Sequence, residues 1–210
     1  MQIIYRIIKR GFDLISAMLM FIIMLPVFTV LCLLVRMNLG APIFFSQERS
    51  GYRRKKFRMI KFRTMTNEVN SEGELLPDEC RQTTFGQFLR STSLDELPEL
   101  LSIIKGDMSV IGPRPLPPSY DEYYTPRELK RFEVRGGLLP PDSVEPSAII
   151  TWDRQLEYEA SYAENLSLKN DLNIFLKSVK ILFMRKKTNY GSYVRQSLIE
   201  ERTEDDILKK

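Results

Sequence analysis

Two adjacent carboxylates, Asp95 and Glu96, lie in the stretch STSLDELPELLSIIKGDMSVIGPRP, which covers residues 91–115. A carboxylate is deprotonated at neutral pH and can act as a nucleophile, a general base or a cation ligand. The competing interpretation is structural, because Ser93 followed three residues later by Glu96 has the spacing of a capping box. Apolar residues at helical spacing predict a helix from Leu97 to Lys105 under either interpretation.

The amino-acid composition restricts the reactions in which this pair of carboxylates could take part. The chain has 210 residues and 43% hydrophobic content, enough for one domain with a sizeable core. It contains no histidine, so no imidazole can act as a base, a nucleophile's partner or a metal ligand. With only two cysteines, Cys32 and Cys80, a disulfide framework or a thiolate metal site is not expected. Reactivity must therefore come from carboxylates, hydroxyls, thiols or cationic side chains.

A basic segment precedes the carboxylates. Between Arg49 and Asn67 there are eight lysines or arginines and no acidic residue, which indicates an anionic neighbour. Two interpretations stay open: a solvated face beside anionic lipid head groups, or a phosphate cradle. Residues 42–65, which contain most of this segment, predict a β-hairpin that turns at Ser50-Gly51, because an apolar run at Ile43–Phe45 and an aromatic-rich run at Phe57–Met65 flank the turn dipeptide.

The most apolar part of the chain is Leu14–Val35, which holds 22 residues without a charge. A helix of this length can cross a bilayer core of about 30 Å, so we expect a membrane segment. Pro26 lies near its middle, where a proline kinks or breaks a helix, and basic residues flank both ends. A spanning helix usually has its cations on one side, so a re-entrant helix and a spanning helix both stay open.

Further elements follow from local patterns. The polar stretch Thr66–Cys80 predicts a surface loop, and a short helix is expected to end near Arg90. A strand is predicted at Met108–Ile111. The prolines on both sides of Arg114 fix the backbone around a long cation, which favours a binding role for that residue.

The last third of the chain is dominated by one helical pattern. Residues 168–187 predict an amphipathic helix with a basic face, suited either to a membrane interface or to a protein core. Its predicted apolar face comprises Leu168, Leu172, Phe175, Leu176, Val179 and Leu182. Residues 188–210 are polar and charged, and a late helix is predicted within them.

Three segments together resemble the bacterial sugar transferase family. They are KFRTM (Lys61–Met65), SLDELPELLSIIKGDMSVIGPRP (Ser93–Pro115) and the apolar segment with its central proline. The three segments occur in the same order as in the family, and the resemblance extends from about residue 3 to residue 186. Within the family, the chain resembles the small monotopic phosphoglycosyl transferases. It implies an α/β fold that is mostly α with a short β-hairpin, a Pro-broken re-entrant N-terminal helix and interfacial amphipathic helices. The expected division is a membrane helix (1–40), a catalytic domain (41–187) and a polar tail (188–210).

The resemblance also implies roles for individual residues. Asp95 is expected to be the nucleophile that takes a phosphosugar from a nucleotide diphosphosugar, with Glu96 as its partner. Mg²⁺ is expected beside Asp95 and the diphosphate. The family's phosphate-binding and membrane positions map onto Arg114, Arg90, Lys61 and Arg63, and onto Pro26 as the break in the membrane helix.

The implied reaction moves a phosphosugar from a UDP-sugar to polyprenyl (undecaprenyl) phosphate and releases UMP. It is expected to be ping-pong, with an aspartyl-phosphosugar intermediate. The expected location is the cytoplasmic face of the bacterial inner membrane, with membrane lipids as partners, no nucleic acid, and a homodimer as an open expectation. The stretch Gly136–Trp152 departs from the family's common pattern, which leaves the donor sugar open.

Two alternative functions compete with this expectation. One is a non-catalytic membrane-bound scaffold with the same fold. The other is a membrane-surface protein that binds nucleic acid through the basic segment Arg49–Arg63. Release of UMP in the presence of a donor and Mg²⁺ distinguishes the enzyme from both alternatives.

Overall fold

The computed structural model of the chain describes residues 2–145, 150–184 and 195–208. Contacts divide the chain into two compact units. The helix unit comprises Phe12–Glu48 and Arg58–Gly106, and the C-terminal unit comprises Met1–Gly11, Arg49–Phe57 and Asp107–Lys210.

The protein is α/β and mostly helical, with a few short strands, as the sequence predicts. The predicted hairpin, the short helix that ends near Arg90, the strand at Met108–Ile111 and the late helix are all confirmed. The predicted loop at Thr66–Cys80 contains one extra helical turn. The elements in chain order are α1 (Gln2–Leu39), β1 (Phe44–Ser50), β2 (Lys56–Phe62), α2 (Asp78–Arg81), α3 (Thr84–Ser91), α4 (Glu99–Lys105), β3 (Met108–Ile111), β4 (Gly136–Leu139), α5 (Trp152–Glu164), α6 (Leu168–Met184) and α7 (Leu198–Leu208).

Helix α1 is long and exposes most of its apolar side chains. Pro26 lies inside it, so helical structure continues on both sides of the proline. Among the described residues it is the one helix long and apolar enough to cross a membrane, with a mean hydropathy of 2.9 in its most apolar window. Only 11% of that window is buried. An exposed apolar surface of this size is compatible with a helix placed in lipid, as expected of a monotopic membrane protein.

In the helix unit, the last turns of α1 pack on β2 and α3. Leu31 and Val35 are buried together with Phe62 of β2 and Leu89 of α3. The Phe62 ring stacks on Phe44 of β1, with 5.4 Å between the ring centroids. Burying each of these large side chains contributes roughly 1.5–3 kcal/mol, so this cluster fixes where β2 and α3 place their polar residues.

In the C-terminal unit, β3 and β4 form a parallel pair, with Met108 opposite Gly136 and Ser109 opposite Gly137. A Cβ atom at Gly137 would lie 2.1 Å from the backbone nitrogen of Gly112, so a larger residue cannot occupy this position. This close approach holds the chain at the point where it leaves β3 and enters the Pro-Arg-Pro turn.

The start of α1 and helix α6 meet in the C-terminal unit. Asp171 of α6 accepts a hydrogen bond from the Tyr5 hydroxyl at 2.6 Å and pairs with the Lys9 ammonium at 2.8 Å. On α6, Asp171, Ile174 and Ser178 are the buried stripe.

The apolar face predicted for α6 is turned away from the core. Leu168, Leu172, Phe175 and Leu176 are all exposed, and the exposed fraction of Leu168 is 62%. A core position for this face, one of the two alternatives from sequence, is therefore wrong. The side chain of Leu182 and the end of the pattern at residues 185–187 lie outside the described residues.

Candidate active site

The carboxylate pair lies in a single 3-10 turn, Leu94–Glu96, in the helix unit. The capping-box interpretation is wrong: Ser93 has the left-handed backbone angles φ 56° and ψ 19°, whereas a capping residue is extended. Helix α4 begins only at Glu99, after Pro98, because a proline is favourable at a helix start and unfavourable inside one. A non-glycine residue in the left-handed region is strained, and such strain is common at functional sites.

Lys61 of β2 is the cation in contact with this turn. Its ammonium lies 2.7 Å from Glu96 Oε1 and 3.1 Å from Glu99 Oε1. Glu99 is only 3% exposed, so Lys61 is held between one buried and one half-buried carboxylate. Because Lys61 belongs to the strand fixed by Phe62, the hydrophobic cluster also positions the ammonium.

The electrostatic environment of Asp95 disfavours its negative charge. Burial raises the pKa of the Asp95 carboxyl above its usual range, and the neighbouring Glu96 carboxylate raises it further. Lys61 and Arg90 act in the opposite direction and lower that pKa. Asp95 is therefore a carboxylate in a partly desolvated site, where additional positive charge from a ligand would be stabilising.

Arg90 is positioned by a close approach of α3 to the KFRT segment. A Cβ atom at Gly86 would lie 1.8 Å from the Thr64 carbonyl oxygen, so only glycine allows this packing. Arg90 Nε then donates a hydrogen bond to Thr64 Oγ1 at 2.9 Å. The rest of the guanidinium is exposed to solvent.

Arg63 is placed differently from the other predicted phosphate ligands. It is 5% exposed, and its guanidinium donates to the carbonyl oxygens of Leu39 and Ala41 at the end of α1. Burial and the nearby Arg36 lower the pKa of Arg63. These contacts support a role in fixing the end of α1, and they do not support the predicted phosphate contact.

Arg114 belongs to the C-terminal unit, where its backbone is held on both sides. The Arg114 N–H donates to Glu159 Oε1 at 3.0 Å, and its carbonyl oxygen accepts from Arg131 Nη2. Glu159 and Arg131 form an ion pair with 2.7 Å between Oε2 and Nε, and both are almost fully buried. The Arg114 side chain is exposed, so the buried pair fixes the peptide and leaves the guanidinium accessible.

Three charged residues of these environments were missed by reasoning from sequence. Glu99 lies in the same motif as Asp95. Its position directly after Pro98, at the start of a helix, is the sequence feature that could have indicated it. Glu159 and Arg131 are separated from Arg114 by 45 and 17 residues. Their helical segments carry many charges, and no local pattern singles out the two that become buried.

The segment that departs from the family pattern contains another buried acid. Burial raises the pKa of Asp142 to about 6, the Glu159 carboxylate also raises it, and Arg114 and Arg195 lower it. Trp152, at the end of this segment, lies under the Arg195 guanidinium at 3.6 Å. Residues 146–149 of the segment lie outside the described part of the chain.

A resident metal cage is not found: within the described ranges, no group of three or more acidic or cysteine side chains could hold a metal ion. Magnesium, however, is usually held by one or two carboxylates together with substrate phosphates and water. The Asp95–Glu96 pair fits that requirement, because the two neighbouring carboxylates repel each other and a cation would relieve the repulsion.

The fold and this cluster define an α/β protein with one helix apolar enough for a membrane and a candidate site that combines carboxylates with lysine and arginine. Residues 4–185 match the family model described as bacterial sugar transferase. The chain therefore belongs to the bacterial sugar transferase family, and it is a transferase enzyme.

Relatives with curated names agree with this assignment. The chain is 40% identical to the uncharacterised sugar transferase EpsL of Bacillus subtilis, over 90% of this chain and 93% of the relative. It is 32% identical to a UDP-galactose-lipid carrier transferase of Erwinia amylovora over 86% of this chain, but it spans only 41% of that protein. It is 30% identical to the UDP-glucose:undecaprenyl-phosphate glucose-1-phosphate transferase of Caulobacter vibrioides, over 83% of this chain and 69% of the relative.

Proposed function

We propose that the protein transfers a sugar phosphate from a UDP-sugar to undecaprenyl phosphate, with release of UMP, in polysaccharide synthesis. The names of several relatives support this substrate pair, including that of the Caulobacter enzyme. The observation that carries the proposal is the position of Asp95. It is a half-buried carboxylate with a raised pKa, on a strained turn, within electrostatic reach of Lys61 and Arg90.

In the first step, an Asp95 carboxylate oxygen attacks the β-phosphorus of the UDP-sugar. The bond between that phosphorus and the bridging oxygen breaks, and UMP leaves with the bridging oxygen. Cationic side chains assist because negative charge on the phosphoryl oxygens must be balanced in the transition state. We assign phosphate contact beside Asp95 to Lys61 and Arg90, and not to Arg63, while a phosphate contact of Arg114 stays an expectation from the family resemblance.

In the second step, a phosphate oxygen of undecaprenyl phosphate attacks the same phosphorus. The bond to Asp95 breaks, the carboxylate is restored, and the product is a lipid diphosphosugar. Glu96 holds Lys61 in place throughout, through the 2.7 Å contact between Nζ and Oε1. The sequence of events is ping-pong, because the first product leaves before the second substrate reacts.

Asp95, with Glu96 beside it, would hold Mg²⁺ together with the donor diphosphate. The ion would supply positive charge to the phosphoryl oxygens. Asp95 itself provides the nucleophile, and the half-buried position of the turn limits competition from water.

The experiment that tests the reaction is a UMP-release assay without acceptor. Full-length protein in detergent, given Mg²⁺ and a panel of UDP-sugars, should release close to one equivalent of UMP from the correct donor and then stop. Adding undecaprenyl phosphate should restart the release. UMP release that strictly requires the acceptor would contradict the covalent intermediate, and no release with any donor would contradict the function.

The same proposal includes a membrane arrangement in which α1 enters and leaves by the cytoplasmic face of the inner membrane. Support comes from the exposed apolar faces of α1 and α6 and from the cytoplasmic origin of nucleotide sugars. Because α1 is continuous through Pro26, this arrangement needs a kink at the proline and not the expected break. The three-part division at residues 40 and 187 is retained with it.

Single cysteines at residue 2 and residue 71, in a chain without Cys32 and Cys80, test this topology. On intact spheroplasts, an impermeant thiol reagent should label neither position. Labelling of residue 2 alone would mean that α1 spans the membrane.

A further inference from the structure

A cleft of about 460 Å³ opens within the C-terminal unit and contains none of the residues predicted for catalysis. Its walls combine guanidinium groups with an aromatic and apolar surface. The lining residues are Arg6, Tyr52, Arg53, Arg54, Leu129, Phe132 and Glu133. We call this feature the arginine cleft.

The turn that supplies two of the arginines has an unfavourable backbone. Arg53 and Arg54 are consecutive and both have positive φ, 55° and 60°, a region that side-chain-bearing residues rarely adopt. Glycine would form the same turn without strain. Two arginines at these positions therefore reduce the stability of the turn, and such strain is common where side chains have a binding function.

The guanidinium groups of the cleft are only partly balanced by acids. Arg54 is tied to Asp121, with 3.7 Å between Nε and Oδ2 and a hydrogen bond to the Asp121 carbonyl oxygen. Arg53 lies over the Tyr52 ring, 5.1 Å from its centroid. Glu133 is the one carboxylate among the described lining residues, and Asp121 pairs with Arg54, so three guanidiniums face two acids. This excess of positive charge favours an anion, and guanidinium groups bind phosphate oxygens in a bidentate geometry.

The surface beside the cleft indicates where such an anion comes from. Arg6 lies on α1 among isoleucines at positions 3, 4, 7 and 8, which are between 52% and 77% exposed. Exposed isoleucines on a helix of this hydropathy are suited to contact with acyl chains. A cleft with an arginine on the same helical turns would be reached by the head groups of the surrounding lipid.

We propose that the arginine cleft binds the phosphate of an anionic membrane lipid, as a site separate in its residues from those assigned to transfer. Arg6 and Arg53 contact the phosphate oxygens, and Arg54, fixed by Asp121, completes the cationic wall. Leu129 and Phe132 provide an apolar surface for the start of an acyl chain. The site does not depend on the transfer reaction.

The test is a thermal-shift titration of full-length protein in detergent micelles with increasing dioleoyl phosphatidylglycerol. Zwitterionic dioleoyl phosphatidylcholine serves as the matched lipid, and inorganic phosphate as the soluble anion. The parent protein should be stabilised by phosphatidylglycerol, with half-saturation at about tenfold higher lipid in Arg6→Gln and Arg53→Gly, as loss of a charge-assisted contact predicts. Arg154→Gln makes the same charge change at an exposed position of α5 and should bind like the parent.

Arg53→Gly separates a loss of binding from a loss of stability, because glycine adopts the left-handed backbone angles of residue 53 without strain. This variant should unfold at the same or a higher temperature than the parent without lipid, while binding phosphatidylglycerol more weakly. Unchanged affinity in Arg53→Gly, or an equal loss in Arg154→Gln, would overturn the site. Equal stabilisation by phosphatidylcholine or by inorganic phosphate would overturn the assignment to an anionic lipid. No readout requires turnover, so these outcomes are independent of the proposed transfer.

Discussion

Two clusters of acidic and basic residues in this protein are built in opposite ways. In the C-terminal unit, Glu159 and Arg131 are almost fully buried, and their polar atoms are engaged by each other, by the Arg114 peptide, by Tyr124 and by Gln155. In the helix unit, Asp95 is half-buried beside Glu96, and its pKa is raised despite the nearby Lys61 and Arg90.

This difference indicates that the Glu159–Arg131 cluster positions the backbone, whereas the Asp95–Glu96 cluster can react. A fully hydrogen-bonded buried ion pair fixes geometry and gains little from an added ligand. A pair of adjacent carboxylates on a strained turn has an electrostatic cost that a bound cation can relieve. We therefore expect substitutions in the two clusters to affect different properties: activity in the helix unit and stability in the C-terminal unit.

Asp95→Asn should give the largest effect. We expect the acceptor-independent release of UMP to fall by at least about a thousandfold, because an amide cannot replace the nucleophile. The free energy of unfolding should not decrease at neutral pH. The raised pKa means that the charged Asp95 disfavours the folded state above that pKa, and asparagine removes this charge.

The control for this prediction is Glu68→Gln, which removes an exposed carboxylate from the surface loop of the same unit and should retain full activity. An Asp95→Asn protein that keeps the UMP burst would show that the two clusters do not differ as argued. A large fall in its melting temperature would assign Asp95 a structural role.

Glu159→Ala should give the next largest effect, which is a decrease in the free energy of unfolding. It leaves the Arg131 charge buried without its partner, which typically costs about 3–5 kcal/mol of unfolding free energy. Replacing both residues by apolar ones, as in Glu159→Leu with Arg131→Met, removes the unpaired charge and should cost less, although the hydrogen bonds to the Arg114 peptide are lost. Urea denaturation followed by circular dichroism measures both, and a double variant as unstable as the single one would contradict the unpaired-charge argument.

The same contrast explains what could be predicted from sequence. Patterns within a few residues were sufficient for the hairpin and for β3, and they singled out the Asp95–Glu96 pair as a candidate site. The capping box was wrong because Pro98 moves the helix start to Glu99, and a three-residue spacing cannot report that competition. The roles of Arg63 and Glu159 depend on distant backbone groups, the end of α1 and the Arg114 peptide, which only the folded chain brings near.

The smallest expected effect, and the sharpest test of the Asp95 environment, is on pH dependence. The deprotonated nucleophile is lost as pH falls through the pKa of Asp95, so UMP release should decline at a higher pH than for an ordinary aspartate. Glu96→Gln removes a contribution that raises this pKa and should move the midpoint to lower pH. Lys61→Met removes a contribution that lowers it and should move the midpoint to higher pH.

The midpoint of the burst amplitude against pH is the quantity to compare, because it does not depend on how strongly each variant is impaired. If both substitutions moved the midpoint in the same direction, the loss of activity at low pH would be due to protonation of a group other than Asp95. The contrast with the fully hydrogen-bonded Glu159–Arg131 pair would then lose its electrostatic basis.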